Sequence, residues 1–230
     1  MKIFLDTANI EEIRKAAELG LVDGITTNPT LIAKEGAGFK ERIQEICSVI
    51  PGDVSAETIA TDWQGMVKEG KELATWAPNV VVKAPCTPDG LRATKELSSE
   101  GIKVNVTLIF SAPQGLLACK NGAYIISPFV GRLDDLGVDG MELVRDLVVI
   151  KENYGYDTQV LAASIRTLAH ITEAAKAGAD IATIPAAVFT QMFKHALTDA
   201  GMTRFLADWK TLPNYEEAIF PKTKQAAGTR

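Results

Sequence analysis

Residues 80–85 read VVVKAP, a β-branched apolar run that contains one lysine, Lys83. A short apolar run of this kind predicts a buried strand. An ammonium group in apolar surroundings without a partner loses its hydration, and it sheds its proton instead. A neutral amine is a nucleophile, so Lys83 is the first candidate catalytic residue.

Seven further strand-like segments recur along the chain at near-regular intervals. They are KIFLDTA (2–8), DGITTN (23–28), VSAETI (54–59), KVNVTLIF (103–110), YIISPFV (124–130), QVLAASI (159–165) and DIATIP (180–185). Stretches with helical periodicity lie between them, from residues 10–20, which follow the capping residue Asn9, to residues 186–197. This alternation predicts a parallel sheet, because parallel neighbours need crossover helices.

Eight strand-helix units are the number that closes a (β/α)8 TIM barrel, and 230 residues give about 29 residues per unit. An open doubly wound sheet is the structural alternative, but no GxGxxG or Walker A loop follows an early strand. We find no linker, so we predict one α/β domain over residues 1–230. An additional amphipathic helix is predicted at about 198–212, packed on the barrel or on a neighbouring subunit, and a loose tail at 213–230.

The composition narrows the classes of function. With 47% apolar residues, 23% charged residues and a formal net charge of −5, the chain has no basic footprint for nucleic acid or an anionic membrane. Three cysteines and two histidines show no zinc-binding spacing, so no metal is expected. Because no signal peptide or membrane-spanning run is recognisable, we expect a cytoplasmic protein that acts on small molecules.

Side chains alternate across a strand, which separates polar from apolar residues. In residues 103–110 the odd positions include Asn105 and Thr107 on one face of the strand, and the even positions on the other face are all apolar. The apolar set consists of Val104, Val106, Leu108 and Phe110. Because helices cover the outer face of such a barrel, we predict that Asn105 and Thr107 point inward.

Comparable positions near the carboxyl ends of the other strands hold further candidates, and this is the end where such barrels build active sites. They are Asp6, Asn28, Glu57, Lys83, Ser127, Phe129, Arg132, Ser164 and Arg166. Structural roles stay open: Glu57 in a salt bridge would hold Lys83 protonated, and the two arginines suit ion pairs as well as anion binding. So many convergent polar groups nevertheless indicate a ligand site.

Seven motifs together resemble the transaldolase family, in particular the short transaldolase-like subfamily that includes fructose-6-phosphate aldolase. The motifs are FLDTAN, GITTNPTLIAKEG, VSAE, VVKAP, NVTLIF, SPFVGRLDD and AASIR. The resemblance runs from Met1 to about Lys210.

The resemblance implies a (β/α)8 enzyme of the pentose phosphate pathway that forms a Schiff base on Lys83. It would transfer a dihydroxyacetone unit from sedoheptulose 7-phosphate or fructose 6-phosphate to glyceraldehyde 3-phosphate or erythrose 4-phosphate. By the same resemblance Asp6 handles a substrate proton, and Glu57 and Thr107 hold a catalytic water that separates Glu57 from Lys83. The remaining implied contacts to the sugar or its phosphate are Asn28, Asn105, Ser127, Arg132, Ser164 and Arg166.

The resemblance further implies no cofactor and a homo-oligomer, a pentamer or a decamer. Phe129 and Glu57 follow the transaldolase pattern, whereas the related aldolase resembles a barrel with tyrosine and glutamine at these positions. A phenyl ring does not donate a proton to an enamine, so transfer should exceed cleavage. Two alternatives stay open: an aldolase that releases free dihydroxyacetone, and a non-catalytic barrel that only binds phosphosugars.

Overall fold

A computed structural model describes residues 1–36 and 38–220 of the chain. It contains two compact units, Met1–Thr190 and Gln191–Arg230. The first unit carries eight parallel strands. They are β1 (Lys2–Asp6), β2 (Gly24–Thr26), β3 (Val54–Glu57), β4 (Val80–Pro85), β5 (Val104–Ile109), β6 (Ile125–Pro128), β7 (Gln159–Ala162) and β8 (Ile181–Ile184).

The strands form a closed barrel in chain order, since β1 pairs with β2 on one side and with β8 on the other. This closure confirms the predicted (β/α)8 fold and excludes the open doubly wound sheet. All eight sequence segments predicted as strands contain one strand of the barrel.

Helices follow every strand. They are α1 (Ile10–Ala17), α2 (Pro29–Glu35), α3 (Phe39–Val49), α4 (Trp63–Ala74), α5 (Pro88–Ser99), α6 (Ala112–Lys120), α7 (Val130–Asp134), α8 (Gly140–Tyr154), α9 (Leu168–Ala177) and α10 (Ala186–Gln191). Among the described residues, none of the helices is long and apolar enough to cross a membrane.

Two connections hold an extra short helix that the periodicity did not predict. In the connection from β2 to β3, Asn28 caps α2 by accepting a hydrogen bond from the Leu31 N–H at 3.0 Å, and Pro29 occupies the first helical turn. In the connection from β6 to β7, α7 begins directly after Phe129. Both extra helices therefore start beside predicted site residues.

The second unit contains α11 (Ala196–Trp209), the predicted C-terminal helix, which starts two residues earlier than predicted and ends three residues earlier. The preceding helix α10 ends at Gln191, well before residue 197, where the helical pattern was expected to end. Of the predicted tail at 213–230, Tyr215–Glu217 form a 3-10 turn and residues 221–230 lie outside the described part of the chain.

The barrel interior is apolar in its lower part. A small buried cluster there contains Phe4, Ile125 and Leu161. Because side chains alternate along a strand, the residue two positions after each of them points into the interior as well, nearer the carboxyl end of the strand. Gly24 is required beside Phe4, because a Cβ at residue 24 would lie 2.4 Å from the phenyl ring. The apolar floor leaves the upper interior to the polar residues that follow, such as Asp6 and Ser127.

Strand β5 departs from simple alternation near its carboxyl end. Its register with β6 shifts between Val106 and Ile109, and Leu108 adopts a left-handed φ of 60°. As a result Ile109 is fully buried, while Phe110 is 36% exposed. The predicted outward set was therefore wrong for Leu108 and Phe110, although Val104 and Val106 are buried in the main core.

Candidate active site

Lys83 lies in β4 between two neighbours in register, Glu57 of β3 and Asn105 of β5. It is only 6% exposed. Its Nζ lies 2.9 Å from Glu57 Oε2 and donates a hydrogen bond to the Thr27 carbonyl oxygen at 3.1 Å. Lys83 and Glu57 are therefore in direct contact, without the intervening water that the family resemblance implied. The salt bridge that was left open as an alternative is the arrangement present.

Asp6 ends β1 and faces the same interior. The Thr26 hydroxyl donates to Asp6 Oδ1 at 2.9 Å, and the Thr183 hydroxyl lies 2.6 Å from the Thr26 hydroxyl. Burial raises the pKa of the Asp6 carboxyl above its ordinary value, and this effect outweighs the lowering by the Thr26 hydrogen bond and the Lys83 charge. A carboxyl group with a raised pKa is suited to accept and return a proton.

Asn105 is fully buried in a chain of hydrogen bonds across three strands. Its Nδ2 donates to Ser55 Oγ at 3.1 Å, and its Oδ1 accepts from the Ser127 hydroxyl at 2.7 Å. Thr107 is also buried, but its hydroxyl has no hydrogen-bond partner among the described residues. A buried hydroxyl without a partner is costly, which marks Thr107 as a group that a bound molecule would satisfy.

A cavity of about 130 Å³ opens over these residues at the carboxyl ends of the strands. It brings together eight of the predicted site residues. They are Asp6, Asn28, Lys83, Thr107, Ser127, Phe129, Arg132 and Ser164. Within the described part of the chain, the other three predicted residues, Glu57, Asn105 and Arg166, do not line it. Glu57 and Asn105 contact lining residues instead, Lys83 and Ser127 respectively.

Sequence reasoning missed two polar residues of the cavity, Thr26 and Thr183. The signal was available for both, since Thr26 has the parity of Asn28 and Thr183 alternates with apolar neighbours in β8. The Thr27 carbonyl, which accepts from Lys83, left no signal because every residue has a carbonyl.

Two of the residues expected to contact the sugar or its phosphate, Arg132 and Ser164, line the cavity. Arg132 lines the cavity with its guanidinium carbon 5.2 Å from the centre of the Phe129 ring. Ser164 adopts a left-handed φ of 58°, which is uncommon for residues other than glycine and is concentrated at functional sites. Phe129 packs edge-on against Phe110 with ring centres 5.6 Å apart.

Arg166 differs from the expectation of an anion-binding side chain that faces the ligand. Its guanidinium makes a two-pronged ion pair with the Asp135 carboxylate, in which Nη2 donates to Oδ2 at 2.6 Å and Nη1 donates to Oδ1. Arg166 lowers the pKa of the Asp135 carboxyl, chiefly by this hydrogen bonding. The structural ion pair, predicted as an alternative, is therefore the arrangement present for Arg166.

A closed barrel with polar side chains gathered at the carboxyl ends of its strands is the architecture of (β/α)8 enzymes. A family model described as "Transaldolase/Fructose-6-phosphate aldolase" matches residues 3–227. The chain belongs to this family, as the motifs indicated.

Similar proteins carry a more specific name. The chain is 58% identical over 213 residues to a "Probable transaldolase" of Anaeromyxobacter sp. (strain K), an alignment that spans 93% of this chain and 98% of that protein. It is 56% identical over 215 residues to a "Probable transaldolase" of Petrotoga mobilis, and this alignment covers 94% of this chain and 97% of that protein. A "Probable transaldolase 2" of Listeria monocytogenes is 56% identical over 216 residues, and this alignment covers 94% of this chain and 99% of that protein.

Proposed function

We propose that this protein is a transaldolase that carries a dihydroxyacetone unit on Lys83. The donor would be sedoheptulose 7-phosphate or fructose 6-phosphate, and the acceptor glyceraldehyde 3-phosphate or erythrose 4-phosphate. The observation that carries the proposal is a nearly buried lysine, 2.9 Å from a carboxylate, that lines a cavity together with a second carboxyl group of raised pKa. The names of the relatives support the same activity.

The first step requires a neutral Lys83 amine. Glu57 Oε2 pairs with Lys83 Nζ in the free protein and would accept its proton once the donor ketone occupies the cavity. The amine then attacks the ketone carbon of the donor, and a proton passes from the nitrogen to the former carbonyl oxygen. The protonated Glu57 gives its proton to the resulting hydroxyl group, so that water leaves and an iminium forms. The Thr107 hydroxyl lines the same cavity and would hold this water or the substrate oxygen.

The second step breaks the C3–C4 bond of the iminium. Asp6 would accept the proton of the C4 hydroxyl, the bond electrons would move toward the iminium nitrogen, and the aldehyde product would leave. The raised pKa of Asp6 brings its proton affinity nearer to that of the group it serves. The three-carbon enamine left on Lys83 adds to the acceptor aldehyde by the reverse of these steps.

Phe129 favours transfer over simple cleavage. Its ring lines the cavity and has no hydroxyl, so it cannot donate the proton that would release the enamine as free dihydroxyacetone. The enamine would therefore persist until an acceptor aldehyde binds.

Polar side chains around the cavity would bind the rest of the sugar. Asn28 and Ser127 line it and are suited to the hydroxyl groups of the three-carbon unit, with Asn105 orienting Ser127 through the 2.7 Å hydrogen bond. Arg132 and Ser164 line the cavity and would contact the phosphate, together with Arg166 once it is released from Asp135. We propose no metal or organic cofactor in this route.

We propose that the enzyme acts in the cytoplasm, in the pentose phosphate pathway, as a homo-oligomer such as a pentamer or a decamer. Helix α11 supports the oligomer, because its large apolar side chains are exposed in the single chain. These include Leu197, Met202, Phe205 and Leu206.

The test is a coupled assay with fructose 6-phosphate as donor. With erythrose 4-phosphate present, we expect sedoheptulose 7-phosphate and glyceraldehyde 3-phosphate in equal amounts. Without an acceptor, we expect free dihydroxyacetone to form far more slowly. Equal rates of dihydroxyacetone release with and without acceptor would identify an aldolase, and binding of fructose 6-phosphate without any product would identify a non-catalytic barrel.

A further inference from the structure

Arg166 is paired with a carboxylate before any substrate is bound. Both nitrogens of its fork point at Asp135, and both side chains of the pair are about half exposed, at 47% and 53%. Arg132, by contrast, lines the cavity itself. The two arginines therefore differ: Arg132 lines the cavity, whereas Arg166 does not line it and is already engaged with an anion.

The backbone of Arg166 is held separately from its side chain. The Arg166 N–H donates to His170 Nδ1 at 3.3 Å, and His170 Nε2 lies 3.0 Å from Asp134 Oδ2. Asp134 in turn accepts from the Gly140 N–H at 3.0 Å through its other oxygen. These contacts fix the start of the side chain, so the guanidinium can change its partner without moving the loop.

A carboxylate and a phosphate present oxygen pairs of similar geometry to a guanidinium fork. A phosphate can therefore occupy the same two nitrogens of Arg166 only when Asp135 gives them up. Because the pair is half exposed and screened by water, releasing it is inexpensive compared with breaking a buried pair.

We propose that Asp135 sets the affinity of the site for phosphate, because its carboxylate occupies the Arg166 fork in the free enzyme and must be exchanged for the phosphate of the substrate. Arg132 meets the incoming phosphate first, and Arg166 then leaves Asp135 to complete the clamp. A ligand without a phosphate offers no competing anion, so Arg166 stays paired with Asp135. Competition from Asp135 therefore weakens the binding of phosphorylated sugars, while the binding of free sugars is unaffected. This inference rests on the proposed function, because it assumes that the cavity binds a phosphosugar.

The test is the affinity for inorganic phosphate, measured by calorimetry at constant ionic strength. In Asp135→Asn the competing charge is gone, and we expect the dissociation constant to fall about twofold to fivefold, the range that exposed ion pairs allow. The KM for fructose 6-phosphate should fall by a similar factor, while the KM for unphosphorylated fructose stays the same.

Two controls separate the exchange from a general charge effect. In an Arg166→Ala background, Asp135→Asn should no longer change phosphate affinity. Asp139→Asn removes an aspartate of similar exposure that is paired with Arg145 at 2.6 Å and does not line the cavity, and it should leave the affinity unchanged. Asparagine also caps α8 as well as aspartate does, so the fold of this control is preserved.

Unchanged or weaker phosphate binding by Asp135→Asn would overturn the inference, because Asp135 would then only orient Arg166. A gain that persists in the Arg166→Ala background, or that Asp139→Asn reproduces, would overturn it as well. Phosphate binding needs no turnover, so the outcome is independent of whether Lys83 forms a Schiff base.

Discussion

The ion pair of Glu57 and Lys83 predicts a strongly non-additive effect on stability. In Glu57→Gln, the Lys83 ammonium loses its nearest anion and keeps the Thr27 carbonyl at 3.1 Å and the attraction of Asp6. Removing one partner of a buried pair costs about 3 to 5 kcal/mol, and these two residual contacts place the loss near 3 kcal/mol.

The reverse change, Lys83→Met, leaves Glu57 without its cation. Glu57 is 16% exposed and also lines a groove beside Ile59 and Trp76, where water can hydrate it, so we expect a smaller loss of about 1 to 3 kcal/mol. In the double variant neither charge is buried, and the free energy of unfolding should lie within about 1 kcal/mol of the unmodified protein. With a double-variant change near zero, the coupling energy is about 4 to 6 kcal/mol, above the range of about 0.5 to 3 kcal/mol that is usual for contacting residues.

Urea denaturation of the four proteins at one protein concentration measures these terms, provided that the m-value stays constant. Glu173→Gln is the matched control, because Glu173 pairs with Lys176 at 3.0 Å on the surface and should change stability by no more than about 0.5 kcal/mol. If the losses of the two single variants add in the double variant, the pair is not coupled and the reasoning is refuted.

Three further variants test individual residues of the cavity. Because the pKa of Asp6 is raised in the folded chain, the fold binds its proton more tightly than the unfolded chain does, and stability falls as the pH rises from 3.8 through the folded pKa. Asp6→Asn should therefore raise the melting temperature at neutral pH, while transfer slows about 10²- to 10⁴-fold. A lower melting temperature would contradict the expected direction of the stability change. Thr107→Val removes a buried hydroxyl that has no partner among the described residues. The free energy of unfolding should therefore rise by about 1 kcal/mol while transfer slows. A loss of stability would show that the hydroxyl is hydrogen-bonded in the free protein. Phe129→Tyr should raise dihydroxyacetone release relative to transfer, and an unchanged ratio in assays with and without acceptor would refute its role.

The barrel could be predicted from the sequence because it depends on a pattern that repeats eight times. Each β-branched run needs a crossover helix, and eight units close the sheet. The extra helix α2 could have been found from Asn28 and Pro29, a capping residue followed by a proline. The bulge in β5 could not, since the left-handed Leu108 depends on how β5 fits against β6.

The site was predicted less completely than the fold, for a physical reason. Strand parity identifies which side chains enter the barrel, and it brought Lys83 and Thr107 to the cavity as expected. Parity does not choose among partners that are distant in sequence. The direct contact of Lys83 with Glu57 and the engagement of Arg166 with Asp135 depend on distances that only the folded chain defines.

The most direct test of the central claim is chemical trapping on Lys83. The protein is incubated with fructose 6-phosphate, reduced with borohydride, digested and analysed by mass spectrometry. We predict a reduced three-carbon adduct on the peptide that contains Lys83, and its absence from Lys83→Met treated in the same way. An adduct on a different lysine, or no adduct on the unmodified protein, would contradict the account.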